Sequence, residues 1–243
     1  IQLSNYGSLT AIFATIVLFF PAFFLIKYIY PIIKSIIPYL LILTIIFLII
    51  TEKKKINAII VIFLTGFLGF SVNTLEVNQP LLPMLTGLFG SSNIILSLKN
   101  KTKIPKQIIT KPRINLKRPI KAGLLTAPIC SILPGMGSSQ AAVIGNTFSK
   151  TSKEEFITLI GIINTLVMAF SFISLFAINK TRSGSALAIN EIISPLNFSH
   201  FVLMFFIIII SGVIAFFLTS FLAKFFALNL NKISKKYQNE LHS

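Results

Sequence analysis

Seven long stretches of this chain contain no Asp, Glu, Lys or Arg, and they limit what the chain can fold into. A membrane-crossing helix needs about 20 consecutive, mostly apolar residues. The stretches cover residues 8–26, 35–51, 56–75, 77–98, 122–149, 156–179 and 192–223. Across the chain 12% of the residues are charged, whereas a soluble domain usually carries about 25%. The sequence therefore predicts an all-α, polytopic protein of the cell membrane, with residues 1–243 forming a single membrane domain.

The stretch at 122–149 differs from the others because its middle reads Leu-Pro-Gly-Met-Gly. Pro134 removes an amide donor, and Gly135 and Gly137 favour irregular backbone over helix. Irregular backbone at membrane depth survives only where protein or a water-filled cavity satisfies its polar groups. We therefore predict a broken or re-entrant helix around residues 134–137 that enters and leaves on one side. The remaining stretches are predicted to supply about six full transmembrane helices.

The distribution of basic residues supports this hairpin. Lys and Arg total 22 against 6 acidic residues, which gives a net charge of +16. With a hairpin at 122–149, nearly all the basic residues fall on the side of the N-terminus, and the exceptions are Lys27, Lys34, Lys180 and Arg182. A full crossing would divide them more evenly. Because basic residues concentrate in short cytoplasmic loops, we predict that the loop 99–121 and the tail 229–243 are cytoplasmic.

The loop 99–121 is rich in Lys and Arg and has no acidic residue. Two interpretations stay open: the loop fixes the membrane topology, or it binds the anionic headgroups of membrane lipids. It lacks the interleaved aromatic residues on which single-stranded nucleic acids stack. No nucleic-acid partner is therefore expected.

The residues that usually carry metal or catalytic chemistry are scarce. The chain has one cysteine, Cys130, and two histidines, His200 and His242. We therefore predict no disulfide, no metal and no cofactor. The motifs HExxH and GxSxG are absent, which argues against an enzyme. The chain begins at Ile1 without a charged segment before its first apolar stretch, and we expect that its N-terminal part is missing.

The interrupted stretch is the main candidate for a substrate site. A helix that restarts after a break exposes free amides and the positive end of its dipole, and both attract an anion. Many secondary transporters build their midplane sites from such broken helices. The candidate substrate-binding residues here are Pro134, Gly135, Gly137, Ser138, Ser139 and Gln140. The alternative is a structural hinge without a ligand.

Two further segments place polar residues within or beside apolar stretches. Asn164 and Thr165 lie in the middle of 156–179, where they either bond a neighbouring helix or line a polar path. Arg182 and Ser183 follow that stretch, where the guanidinium either captures a carboxylate or anchors the chain at the interface. We include all four among the candidate substrate-binding residues.

The ordered motifs of residues 60–188 resemble a known family. FLTGFLGF, PLLPMLTGLFG, GLLTAPICSILPGMGSSQAA, EEFITLIGIINT and SLFAINKTRSGSA follow one another as in the large membrane subunit of tripartite tricarboxylate transporters. The chain is most similar to the archaeal branch of that family. An earlier Pro-Gly segment, typical of the family's first half, is absent here.

The resemblance implies a secondary transporter permease with about a dozen helices in two related halves. Its expected substrate is a small organic anion such as a citrate-like carboxylate, with Na⁺ or H⁺ as the coupling ion. A small membrane subunit and a periplasmic binding protein are the implied partners, besides membrane lipid. The alternative is a membrane scaffold or assembly protein without transport of its own, and an intramembrane enzyme is a more distant one.

Overall fold

The computed structural model of the chain describes residues 1–74, 84, 86–100, 115–133, 136–181 and 183–240, and of residues 73 and 230–240 it describes only the backbone. The described residues form helices and no β-strand, which confirms the predicted all-α class. The helices are α1 (Gln2–Ile33), α2 (Ile37–Thr51), α3 (Lys55–Thr74), α4 (Ser92–Lys99), α5 (Lys117–Ile132), α6 (Ser138–Ser149), α7 (Lys153–Ile178), α8 (Gly184–Ile192) and α9 (Phe198–Glu240). A π-helical turn, Thr86–Ser91, precedes α4.

Four of the described helices are long and apolar enough to cross a membrane: Gln2–Ile33, Lys55–Val72, Lys153–Ile178 and Phe198–Asn229. Each coincides with a predicted span. Helix α2 falls on the predicted span 35–51 but has 15 residues, fewer than the roughly 20 that a crossing needs. Most of the first half of the predicted span 77–98 lies outside the described residues. The number of full spans therefore stays a prediction.

The chain divides into two compact units, one of residues 1–42 with 108–229 and one of residues 43–107 with 230–243. In the first unit, α1 and α7 lie side by side and run in the same direction. Gly7 packs against the Thr158 carbonyl, and Gly161 packs against the Ser4 carbonyl. Farther along both helices, the ring centroids of Phe23 and Phe176 are 5.4 Å apart. Small residues allow this close backbone approach, a common device in membrane helix pairs.

Helix α9 packs on α1 in the opposite direction. The Asn5 side chain donates from Nδ2 to the Phe216 carbonyl at 3.0 Å and to Ser220 Oγ at 2.7 Å. Toward the other end of α1, the Phe19 ring stacks on Phe201 with a centroid separation of 4.7 Å. Polar contacts of this kind hold neighbouring helices together in a bilayer. Helix α1 therefore contacts both α7 and α9, although 11% of the most apolar window of α9 is buried against 56% of that of α7.

Helices α5 and α6 form an antiparallel hairpin on this core. A Cβ added at Gly145, late in α6, would lie 3.3 Å from the Ala122 Cβ and 3.4 Å from Thr126, early in α5. A Cβ added at Gly123 would lie 2.5 Å from the Ile162 side chain of α7. Both outer ends of the hairpin therefore lie at the end of the unit where α7 begins. The predicted break is confirmed, because α5 ends at Ile132 and α6 begins at Ser138, whereas re-entry on one side of the membrane stays a prediction.

The two ends of the first unit differ in their basic residues. The end that holds the outer ends of the hairpin and the start of α7 carries Lys117, Arg118, Lys121, Lys150, Lys153 and Lys224. The opposite end carries Lys27, Lys34 and Lys180. Within the predicted loop 99–121, residues 101–114 lie outside the described residues and α5 already begins at Lys117. Within the predicted tail 229–243, α9 continues to Glu240.

The second unit contains α3, which makes few close contacts with other described residues. None of its most apolar 18-residue window is buried. A Cβ added at Gly66 or Gly69 would meet no atom within 4 Å. Neither glycine therefore mediates close helix packing within the described part of the chain.

Candidate substrate site

The break between α5 and α6 is anchored by buried apolar side chains. The last helical hydrogen bond of α5 runs from the Leu133 amide to the Ile129 carbonyl at 3.0 Å, and Leu133 itself is extended, with φ −78° and ψ 118°. Leu133 and Met136 are 1% and 7% exposed. Pro134 and Gly135 lie outside the described residues. The chain thus leaves the helix and packs its next side chains inward, which fixes where α6 restarts.

Cys130 also holds the break, a role that the sequence analysis did not assign. Its buried thiol donates to the Met136 carbonyl at 3.1 Å, six residues farther along the chain. A thiol is a weak donor, but here it satisfies a backbone acceptor in a segment that has left the helix. The sequence signal was available, because Cys130 lies one turn before Pro134.

The first turn of α6 presents its amides without a side-chain cap. Helical bonding begins with the Ala141 amide, which donates to the Gly137 carbonyl at 3.2 Å. Gly137 is the N-cap residue and supplies no capping side chain. The amides ahead of Ala141 therefore precede the first helical bond, and the positive end of the α6 dipole lies with them.

Polar side chains surround this helix start. Gly137 and Ser139 are exposed, and Ser138 and Gln140 are partly exposed. The Ser139 hydroxyl donates to Gln140 Oε1 at 3.4 Å. A Cβ added at Gly137 would lie 2.8 Å from the same oxygen, so the Gln140 side chain folds back over the glycine. The structure thus brings together the four described candidates of this motif.

Asn164 and the start of α6 lie at similar distances along their own helices from the α6–α7 connection. Helices α6 and α7 are joined by a three-residue connection and run in opposite directions. Ser138 precedes the end of α6 by eleven residues, and Asn164 follows the start of α7 by eleven, so each lies about 16 Å from the connection at 1.5 Å per residue. Asn164 is exposed, and its side chain makes no hydrogen bond with any described residue. It is therefore available to a ligand or to another helix.

Thr165 and Ser183 have their hydroxyls engaged locally. Thr165 Oγ1 donates to the Gly161 carbonyl at 3.1 Å within its own helix. Ser183 Oγ accepts from the Ala186 amide at 3.2 Å, which caps α8, and it lies 2.9 Å from Ser171 Oγ. Ser171 is about 10 Å farther along α7 than Asn164. Ser183 is therefore nearer the opposite end of the unit than the break is.

Two other features bear on the site. Arg182, the candidate carboxylate partner, lies outside the described residues. A pocket between α1 and α7 is lined by apolar side chains and Thr15, whose hydroxyl donates to the Ala11 carbonyl at 2.8 Å. This pocket has no free polar group for an anion. Among the described residues, no three His, Cys, Asp or Glu side chains are placed to hold a metal ion.

Comparison with known proteins gives one family and one distant relative. The model of the tripartite tricarboxylate transporter TctA family matches residues 1–239. An uncharacterised protein of Methanocaldococcus jannaschii is 29% identical over 211 residues, which make up 84% of this chain and 52% of that protein. The chain therefore spans about half the length of the curated relative that it matches. No solved structure matches.

Proposed function

The chain belongs to the tripartite tricarboxylate transporter TctA family, and on that premise we propose that it is a permease component of a secondary transporter that moves a small, carboxylate-like organic anion. The family is one of transporters and not of enzymes. Its long apolar helices make the chain an integral, multi-pass membrane protein. The chain covers about half the length of its relative. Its transport activity, substrate and partners are therefore proposed.

The uncapped start of α6 is the observation that carries the proposal. Amides ahead of a first helical bond must find a partner, and a bilayer offers no water to supply one. A carboxylate accepts several such bonds at once and is favoured by the positive helix dipole. The Nε2 amide of Gln140 adds a side-chain donor at the same place, because Gln140 Oε1 already accepts from the exposed Ser139 hydroxyl.

The surrounding charge also favours an anion. The buried acid of α7 is Glu155, which is 8% exposed. It lies in the first turn of that helix, where its Oε2 accepts from the Ser152 amide at 2.9 Å. Asn164, farther along α7, is neutral and makes no hydrogen bond with a described residue. No carboxylate among the described residues of α6 and the middle of α7 therefore competes with a bound anion.

Binding and uptake of labelled carboxylates test this role. The protein would be reconstituted in proteoliposomes and offered radiolabelled mono-, di- and tricarboxylates. The substitution Gly137→Leu places a branched side chain where Gln140 now folds over the glycine, and we expect binding and uptake to fall at least tenfold. The matched control is Gly69→Leu, a position with open space around it, which should retain both. Undiminished binding by Gly137→Leu would refute the site.

Coupling and partners are tested in the same vesicles. Na⁺ and H⁺ gradients would be imposed separately, with and without the small membrane subunit and the binding protein that the family implies. Uptake under one gradient identifies the coupling ion. Silence under both gradients, with every carboxylate and both partners present, would favour a scaffold or assembly role over transport.

A further inference from the structure

Five exposed basic side chains surround the open end of the α5–α6 hairpin. This group, the hairpin mouth, consists of Lys117, Arg118, Lys121, Lys150 and Lys153. The register of the hairpin brings them together, because Gly145 lies opposite Ala122 and Thr126. Lys150, five residues after Gly145, is then level with the first turn of α5. Segments that are separate in sequence therefore present their cations at one height.

The cations of the hairpin mouth are not neutralised by the described part of the protein. None of the five forms an ion pair with a described residue. Glu155 is buried, and its carboxylate accepts from the Ser152 amide in the capping box of α7. Glu154 is the one exposed acid in the same turn. The mouth therefore keeps a strong excess of positive charge.

The α5 helix adds to this charge. The Lys117 amide donates to Asn115 Oδ1 at 3.1 Å, and Pro119 has no amide hydrogen. The start of α5 therefore adds the Arg118 amide and the positive dipole end beside Lys117 and Lys121. A helix N-terminus and nearby lysines together favour phosphate oxygens as ligands.

Apolar side chains continue the basic face of α5 into the membrane-spanning part. Lys117, Lys121, Leu125 and Ile129 recur every fourth residue and are all exposed, so they form one stripe along the helix. Leu125 is 65% exposed and Ile129 is 46% exposed. An amphiphile matches such a stripe, because its chains cover the aliphatic residues while its headgroup meets the lysines.

We propose that the hairpin mouth binds the phosphate of an anionic phospholipid whose acyl chain lies along Leu125 and Ile129. A free phosphate would use the lysines and leave the aliphatic stripe uncovered, so the stripe favours the lipid. Such a lipid would link α5 to α6 at the open end of the hairpin, where no main chain joins them directly. Bound lipid is therefore expected to stabilise the hairpin itself.

Lipid titration of the delipidated full chain tests the proposal. The purified protein in detergent would be titrated with phosphatidylglycerol or phosphatidylcholine, and bound lipid counted by native mass spectrometry alongside the melting temperature. We expect phosphatidylglycerol to bind at least tenfold more tightly and to raise the melting temperature, since each lysine near an anionic surface contributes roughly a fivefold gain in affinity. Equal binding of the two lipids would overturn the proposal without any variant.

A charge-matched pair of variants locates the site. The triple variant Lys117→Gln, Lys121→Gln, Lys150→Gln should lose at least tenfold in phosphatidylglycerol affinity. The control removes the same charge from the opposite end, as Lys27→Gln, Lys34→Gln, Lys180→Gln, and should keep the affinity. An equal loss in both variants would mean bulk charge attraction and would reject the site. An equal rise in melting temperature with inorganic phosphate would reject the lipid as the ligand.

Discussion

Helices α7 and α3 have similar apolar composition and very different surroundings. Both were predicted as spans, and α7 carries one glycine and α3 two among bulky aliphatic and aromatic residues. In α7, 56% of the most apolar window is buried, whereas in α3 none is. Gly161 of α7 touches the Ser4 carbonyl of α1, whereas Gly66 of α3 has open space around it.

The difference shows that the hydropathy of a segment predicts whether it lies in a membrane, but not which helices it packs against. Lipid tails and apolar side chains favour the same residues, so a membrane helix gains little free energy from apolar character alone when it packs on protein. The packing of α7 on α1 depends on two small residues, Gly7 and Gly161, and on a hydrogen bond from the Ser8 hydroxyl to the Gly161 carbonyl at 3.3 Å. Substitutions at such positions should destabilise the protein, whereas the same substitutions in α3 should not.

The substitution Gly161→Leu should have the largest effect. Its Cβ would overlap the Ser4 carbonyl, a backbone atom that cannot rotate away, so we expect a loss of about 3 kcal/mol or more, the upper end for overpacking. Gly161→Ala should already destabilise the protein. Melting temperature and size-exclusion profile in detergent measure both variants.

The same substitution in α3 supplies the control. Gly66→Leu should leave the melting temperature within error of the wild type, because no atom lies within 4 Å of the new Cβ. Equal destabilisation by the two leucines would show that α3 is packed as tightly as α7 in the assembled protein, and the contrast drawn above would fail.

Asn5→Leu should have the next largest effect. It removes both hydrogen bonds between α1 and α9, and interhelical bonds of this kind contribute about 1 kcal/mol. Thr65→Val is the matched control in α3, because the Thr65 hydroxyl donates to the Val61 carbonyl of its own helix. A melting temperature unchanged by Asn5→Leu would show that the hydrogen bonds of Asn5 add nothing beyond shape.

Much of the fold could be predicted from charge-free stretches, since a span needs little more than length and apolarity. The first and last residues of the helices could not be predicted from the limits of the charge-free stretches. Helix α1 continues to Ile33, past Lys27, because a lysine reaches the interface along its own methylenes. Helix α7 begins at Lys153, where Ser152 and Glu155 form a capping box, and that signature was present in the sequence.

The neighbours of each helix could not be predicted, and the candidate site depended on them. Helices that are apolar all round have no period that points to a partner, so nothing in the sequence pairs α1 with α7. Proline and glycine placed the break correctly, because they act on local backbone. No sequence pattern distinguishes the exposed Asn164 from Thr165, whose hydroxyl donates within its own helix.

Ser152→Ala tests how much of the stability of α7 comes from its end and not from its packed face. The hydroxyl of Ser152 accepts from the Glu155 amide at 3.3 Å, and loss of such a cap costs about 1 kcal/mol. Ser152→Thr should restore most of the stability. A melting temperature equal to the wild type in Ser152→Ala would mean that the packed face alone fixes where α7 starts.

The smallest effect on stability is expected at Cys130, which lies on the α5 side of the break and contacts its α6 side. Cys130→Ala removes the donor to the Met136 carbonyl, and a weak hydrogen bond of this kind contributes about 0.5–1 kcal/mol. Cys130→Ser keeps a donor and should fall between the alanine variant and the wild type in melting temperature. Thr147→Val is the control within α6, because its hydroxyl bonds the Val143 carbonyl of the same helix at 3.0 Å.

The same variants test whether the break between α5 and α6 is only a kink or also shapes a binding site. If the thiol positions the start of α6, carboxylate affinity should weaken more in Cys130→Ala than in Thr147→Val, even where both melt at similar temperatures. Equal affinities in the two variants would assign Cys130 to stability alone. The buried side of the break would then support the helix restart only through Leu133 and Met136, whose side chains pack into the core while Gly137 and Ser139 face outward.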